Sequence, residues 1–224
     1  MNSIKFMSDD KAVTLYPAVS DNSPLVVFNN FSESGDMIIN ALREMNCPDV
    51  NLLNISNLNW DHDLSPWHCP PVFRDDPPFT GGADEYLELL LTEILPRARE
   101  HIKGTPSHVC IAGYSLAGLF ALYALYKCDM FDRAASMSGA LWFPNFKEYV
   151  TENPIKKLPD KIYLSLGDRE SKTKNQILQT VQEDTEIIAE HYRQLGIDVL
   201  FELNRGSHFK DAEKRSAKGI IAII

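Results

Sequence analysis

A chain of 224 residues, 44% hydrophobic and 24% charged, has the make-up of a globular domain able to bury about 70% of its unfolded surface, which excludes disordered, collagen-like and miniprotein readings. Its 31 Asp and Glu against 22 Lys and Arg give a formal net charge of -9, whose field repels phosphate backbones and anionic lipid heads, so neither nucleic acid nor a membrane is an expected partner. The first ten residues turn acidic without an apolar run, no stretch approaches the ~20 apolar residues of a membrane span, and the four cysteines (Cys47, Cys69, Cys110, Cys128) form no CxxC, which predicts a cytoplasmic protein with free thiols.

Ile4 to Met7 and Ala12 to Tyr16 predict an opening hairpin around Ser8-Asp9-Asp10-Lys11, followed by a strand over Leu25 to Phe28. Met37 to Met45 reads as helix and Val50 to Ile55 as strand. Residues 57–82 interrupt the alternation. Rich in Pro, Asp and aromatics (Trp60, Pro66, Trp67, Pro70, Pro71, Phe73, Pro77, Pro78, Phe79) and without periodicity, they predict an irregular functional loop over the active edge of the sheet. Regularity then resumes with a helix over Tyr86 to Arg99, a strand over Val109 to Ala112 and a helix over Leu116 to Tyr126. Strands follow at Ala134 to Met137 and Ile162 to Leu166, then a long helix from Gln176 to Leu195. Ile177, Val181, Ile188, Tyr192 and Leu195 mark one face of that helix, and Gly196 ends it. Val199 to Leu203 is the last strand, and a closing helix starts at Asp211. Short apolar runs without polar alternation are those of parallel strands covered on both sides. The reading is therefore a single α/β domain over residues 1–224, with a mostly parallel central sheet, helices on both faces and a site beyond the strands' carboxyl ends.

The densest chemical signal is Val109-Cys110-Ile111-Ala112-Gly113-Tyr114-Ser115-Leu116-Ala117-Gly118, where a strand runs into a helix through a serine. Small residues at 113, 117 and 118 let that corner be sharp and leave the hydroxyl exposed, and helix onset supplies a free N–H at Leu116 where an oxyanion would form. The segment resembles the nucleophile elbow of the α/β-hydrolase superfamily, with Ala117 and Gly118 standing where the usual fifth-position glycine falls.

The resemblance implies an acid and a histidine further along the chain, each just after a strand. Gly167-Asp168-Arg169-Glu170 follows one strand and Asn204-Arg205-Gly206-Ser207-His208 another. His62 and His68 lie in the long loop, His101 and His108 before the elbow strand, and His191 on a helix, which leaves His208. The superfamily's spacing favours Glu170 as the acid, three residues after a strand-ending glycine, with Asp168 as the alternative. It also places a second oxyanion donor in the loop Asn29 to Gly35, here the Phe31 N–H, with Asn29-Asn30 in place of the family's His-Gly pair. Asn30, Trp60, Trp67 and Tyr114 are the implied substrate contacts.

A narrower resemblance spans nearly the whole chain. Trp60-x-x-Asp63-Leu64-x-Pro66-Trp67, Phe79-x-Gly81-Gly82-Ala83-x-x-Tyr86-Leu87, Ile94-Leu95-Pro96 and Gly167-Asp168-Arg169-Glu170-x-Lys172-x-Lys174-Asn175 look like the esterase branch that includes esterase D and enterochelin-esterase-like proteins. That implies hydrolysis of a small-molecule carboxylic ester without a cofactor. Enterochelin esterases also carry an N-terminal β domain for which this chain has no room, a departure that counts against siderophore cleavage without deciding it. The same residues would serve a thioesterase or an acyltransferase, and a non-catalytic relative would use the pocket for binding alone. Asp61, His62, Asp63, His68 and Cys69 are metal-ligand types in no zinc spacing, and no nucleotide-binding glycine motif follows a strand, so neither metal nor cofactor is expected. Leu119, Leu122, Tyr123 and Tyr126 read as core.

Overall fold

In the computed structural model, which describes residues 3–32, 34–72 and 76–224, the opening hairpin forms as expected: β1 (Ile4–Ser8) pairs antiparallel with β2 (Lys11–Tyr16) across a turn that puts Asp9 at φ 52°. β3 (Leu25–Asn29), α1 (Asp36–Glu44) and β4 (Asn51–Ser56) follow. The excursion over residues 57–82 is more structured than its composition suggests, with a short helix α2 (Trp60–Asp63) and a two-residue ribbon of β5 (His68–Cys69) and β6 (Phe79–Thr80). Phe73 lies outside the described residues. Lys11 ties α2 to the sheet through a buried 2.8 Å ion pair with Asp63.

The helix expected over Tyr86 to Arg99 begins earlier, at α3 (Ala83–Leu89), and reaches α4 (Leu95–Arg99) through a π-helical turn at Leu90–Ile94. The wide turn lies just ahead of Pro96, which has no N–H to give the helical ladder. Next come β7 (Val109–Tyr114), α5 (Leu116–Lys127), β8 (Arg133–Met137) and α6 (Phe146–Glu152). α6 was not expected, because its seven residues bury only the pair Phe146 and Val150, too little to show a period. After β9 (Lys161–Gly167), the long helix is broken at Thr180 into α7 (Gln176–Gln179) and α8 (Val181–Gln194). The Asn175 side chain caps α7, and the Thr180 hydroxyl turns back to the Ile177 carbonyl. Ile177, beyond the break, is 41% exposed and Leu195, at the C-cap of α8, is 40% exposed, while Val181, Ile188 and Tyr192 are buried as expected. Gly196, at φ 86°, follows α8. β10 (Asp198–Asn204) and α9 (Ala212–Ile223) complete the fold.

Eight strands form one sheet in the order β1-β2-β4-β3-β7-β8-β9-β10, parallel from β4 to β10 and antiparallel at β1-β2 and β2-β4. Alternate side chains feed two cores. Val27, Ile55, Ile111 and Leu164 face α3, α5, α6 and α8, whereas Phe28, Ala112, Met137 and Tyr163 face α1 and α9. This is the α/β-hydrolase architecture. Every residue of α5 from Leu116 to Tyr126 is buried, so that helix is set by packing, and truncating an enclosed side chain such as Phe120 costs about 3–5 kcal/mol. None of the described helices is long and apolar enough to cross a membrane. β3 and β7 are neighbours from which the chain proceeds in opposite directions across the sheet, and a crevice opens at such a reversal.

Candidate active site

The β7–α5 corner is as sharp as its small residues allow. Ser115 stands at φ 59°, ψ −123°, a conformation that costs a non-glycine residue about 1–3 kcal/mol and persists because its surroundings enforce it. Its N–H donates to the Met137 carbonyl at 3.0 Å, and its carbonyl accepts from Gly118, Leu119 and Ala140. A β-carbon at Gly113 would lie 2.3 Å from the Ala117 main chain, and one at Gly118 would lie 2.7 Å from Ser136 Oγ. Ala117 itself is fully buried and fits, so glycine is needed on either side of the corner and not at its fifth position.

Across the crevice, His208 Nε2 lies 3.1 Å from Ser115 Oγ and Nδ1 lies 2.8 Å from Glu170 Oε2. The Glu170 side chain is 5% exposed. Burial pushes its carboxyl up, but the hydrogen bond and charge of His208, the Gly167 N–H and the Ser138 hydroxyl outweigh that and hold it below the usual glutamate value. Asp168 has a different neighbour. Its Oδ1 accepts the Gly206 N–H at 2.8 Å, which holds its carboxyl low and braces the turn leading to His208. Of the two candidate acids, then, Glu170 meets the imidazole and Asp168 meets the loop.

A cavity of about 320 Å³ opens on Ser115 and His208. Phe28, Met37, Ile38 and Ala212 supply apolar lining, and Asn30, Phe31, Trp60 and Tyr114 also line it. The Asn30 amide donates to the Ser34 carbonyl and to Asn54 Oδ1, so its part is to shape the β3–α1 turn. Leu116, first residue of α5, has its N–H outside the helical ladder, and Phe31 packs edge-on against Trp60 with ring centres 5.2 Å apart. Trp67 does not join this group. It packs against Phe143, Phe146 and Tyr149 and donates its indole N–H to the Pro144 carbonyl at 3.1 Å, outside the lining of this cavity. The other ligand-type residues of the excursion are engaged locally: His62 Nδ1 pairs with Thr80 Oγ1 at 2.7 Å, and Asp63 with Lys11. Among the described residues, no three His, Cys, Asp or Glu side chains converge as a metal site would require. Burial pushes the Cys110 thiol up to about 12 and the Cys47 thiol to about 11, and neither lines the cavity.

The family model described as "Putative esterase" matches residues 15–202, most of the chain, leaving outside it β1 and most of β2 at one end and the end of β10, the histidine loop and α9 at the other. The chain belongs to this esterase family. It is accordingly a hydrolase-type enzyme of the α/β-hydrolase superfamily. The esterase is 24% identical over 184 residues to the uncharacterized protein YbbA of Bacillus subtilis (strain 168), covering 81% of this chain and 72% of YbbA. Among solved structures its fold is shared by an IroE-like serine hydrolase from Shewanella oneidensis, with TM-score 0.81, 18% identity, and 99% and 79% of the two chains covered. It is shared also by the siderophore hydrolase EstB from Aspergillus nidulans, with TM-score 0.70, 19% identity, and 99% and 93% covered.

Three parts of the esterase's site were not singled out in the sequence. Met37 and Ile38 of α1 line the cavity from one side, and Phe209, Ala212, Glu213 and Ser216 from the other. Ser138, at φ 47°, donates its hydroxyl to Glu170 Oε1 at 2.7 Å. Arg215 is 3% exposed and reaches the same oxygen at 3.3 Å. A signal for Arg215 exists in the sequence: it falls within the three-and-four-spaced stripe Ser216, Gly219, Ile220 and Ile223 that α9 turns inward, where a lone charge needs a partner.

Proposed function

We propose that this esterase cleaves carboxylic esters by nucleophilic catalysis through Ser115, His208 and Glu170. His208 Nε2 takes the proton from Ser115 Oγ as that oxygen attacks the ester carbonyl, and the N–H groups of Leu116 and Phe31 hold the oxyanion. Collapse of the tetrahedral intermediate breaks the C–O bond, and the His208 imidazolium gives its proton to the leaving alcohol. Water, deprotonated by the same imidazole, then releases the acid from Ser115. Glu170 stays ionised throughout, fixing the Nδ1–H tautomer and stabilising the imidazolium. The observation that carries this reading is the unbroken relay, 2.8 Å and 3.1 Å, ending at a strained serine on the wall of a cavity. That cavity lies near the lower end of the range for small-ligand sites and has an apolar side at Met37 and Ile38, which suits short and medium acyl groups.

The test is a fluorophosphonate probe followed by peptide mapping, beside p-nitrophenyl esters of increasing acyl length. A single adduct on Ser115, absent from Ser115→Ala, with turnover that falls beyond medium chains, is the expected result. Ester turnover that survives in Ser115→Ala, or an adduct on another residue, would overturn the reading.

A further inference from the structure

The relay uses one oxygen of Glu170. The other, Oε1, accepts from the Ser138 hydroxyl at 2.7 Å, from the Gly167 N–H, and from Arg215 Nη1 at 3.3 Å. Arg215 Nη1 also lies 3.2 Å from Ser138 Oγ and 3.3 Å from the Tyr114 hydroxyl, while Nη2 donates to the Arg205 carbonyl at 3.3 Å. The Tyr114 hydroxyl in turn donates to the main-chain carbonyl of His208 at 2.6 Å, and the two rings meet edge-on. One guanidinium thus touches the end of β7, the turn after β8, the acid's loop after β9 and the chain leading into His208. Only a planar fork of five donors can meet so many acceptors at once, whereas an ammonium is a point charge. Arg215 is absent from the lining of the cavity that holds Ser115, so its reach is toward the acid and the histidine rather than toward a substrate.

We propose that Arg215 is a positioning residue of this esterase: it holds the Glu170 carboxylate directly, and the His208 main chain through Tyr114, in one frame that aims Nε2 at Ser115. The inference rests on the triad reading above. A second cavity, of about 470 Å³, lies on the far side of this frame, and Arg215 is part of its lining together with Asn204, Arg205, Lys214 and Lys218. Removing the Arg215 side chain therefore opens a space continuous with this cavity, whose lining also includes Lys210 and the carboxylates of Glu44 and Asp211.

Arg215→Ala is expected to lower kcat on a short p-nitrophenyl ester by about 10²-fold, the scale of a misplaced catalytic group, with KM within about 3-fold of wild type. Guanidinium at tens of millimolar should restore kcat by about 10-fold or more, whereas urea at the same concentration should not, and wild type should respond to neither. Arg215→Lys should fall between the two. Where Arg215→Ala fails to fold, Tyr114→Phe removes a single hydroxyl from the frame and should reduce kcat by about 10-fold at constant KM. The inference is overturned by a folded Arg215→Ala with wild-type kcat, by a loss that guanidinium leaves unrelieved, or by Tyr114→Phe with unchanged kcat. Fluorophosphonate separates its failure from that of the triad reading. A wild-type protein inert at Ser115 sinks the triad and this inference with it, while a labelled wild type whose Arg215→Ala variant labels equally fast sinks this inference alone.

Discussion

Ser115 and His208 stand 3.1 Å apart, yet the chain around each is held by different forces. Around Ser115 the side-chain restraint is steric and the rest is main-chain hydrogen bonding: β7 is interior to the sheet, α5 is buried from Leu116 to Tyr126, and glycines 113 and 118 leave room where a β-carbon would collide. Around His208 the restraint is polar. Glu170, Asp168, Ser138, Tyr114 and Arg215 fix two loops by hydrogen bonds, and those loops follow β9 and β10 at the border of the sheet. Packing is non-directional and tolerates swaps that conserve volume, while hydrogen bonds fail when a single atom changes type. The Ser115 side should therefore break on changes of size, and the Glu170–His208 side on changes of polarity at constant size.

The largest expected effect tests the polar side. Glu170→Gln keeps the shape of the side chain but removes the charge opposite imidazolium, and kcat should fall on the order of 10⁴-fold, as for a comparable acid-to-amide change. Asp168→Asn, which alters only the brace to Gly206, should stay within about 10-fold of wild type. Steady-state kinetics on one ester decides it, and the reverse order would transfer the acid's role to Asp168.

The two tryptophans of the excursion sharpen the comparison next. Trp67→Ala removes a half-buried indole from a nest of rings and should cost about 1–3 kcal/mol in denaturant unfolding, lowering activity on all esters in proportion. Trp60→Ala changes the cavity wall and should shift kcat/KM ratios between short and bulky esters by about 10-fold with little change in stability. A specificity shift in Trp67→Ala without destabilisation would put that ring back at the substrate.

The smallest effect is a pH dependence of stability. Because the folded protein holds the Glu170 carboxyl below its ordinary value, the group contributes stability in full above the unfolded value of about 4.3 and loses it as pH falls through the lower folded value. The Tm gap between wild type and Glu170→Gln should be level above about pH 5.5 and should narrow on acidification from there. Parallel curves from pH 3 to 6 would show that the carboxyl is not held in its charged form.

The comparison also marks what could be read from the chain. The serine corner is local: strand, small residues and helix onset fall within a dozen positions, so sequence patterning reaches it. Glu170 and His208 were legible because each follows a strand in the order that the fold imposes. Arg215 was legible only as a lone charge on the inward stripe of α9, and its role was not, since its partners Glu170 and Ser138 lie 45 and 77 positions away and only the sheet order brings them together. The expectation for Trp67 and the missing α6 are connected: the indole lies outside the lining of the Ser115 cavity and packs on that helix. Without a helix at Phe146–Glu152 there was no visible partner for that indole, and an aromatic in an irregular segment read as a pocket wall. The cavity's true flank, α1 and the start of α9, was read only as helices, because an inward apolar face looks the same whether it meets a core or a substrate.

β10, which leads to His208, has β9 as its one neighbour in the sheet and leaves Leu200 and Leu203 half in solvent. Amides paired on one side of a sheet rim open at lower free energy than those of an interior strand, so hydrogen exchange along β10 should outpace exchange along β7. Each such opening carries the imidazole away from a serine whose own setting stays intact. If the triad reading holds, activity should therefore be lost on heating below the temperature at which the fold melts, a gap that parallel activity and unfolding scans would measure.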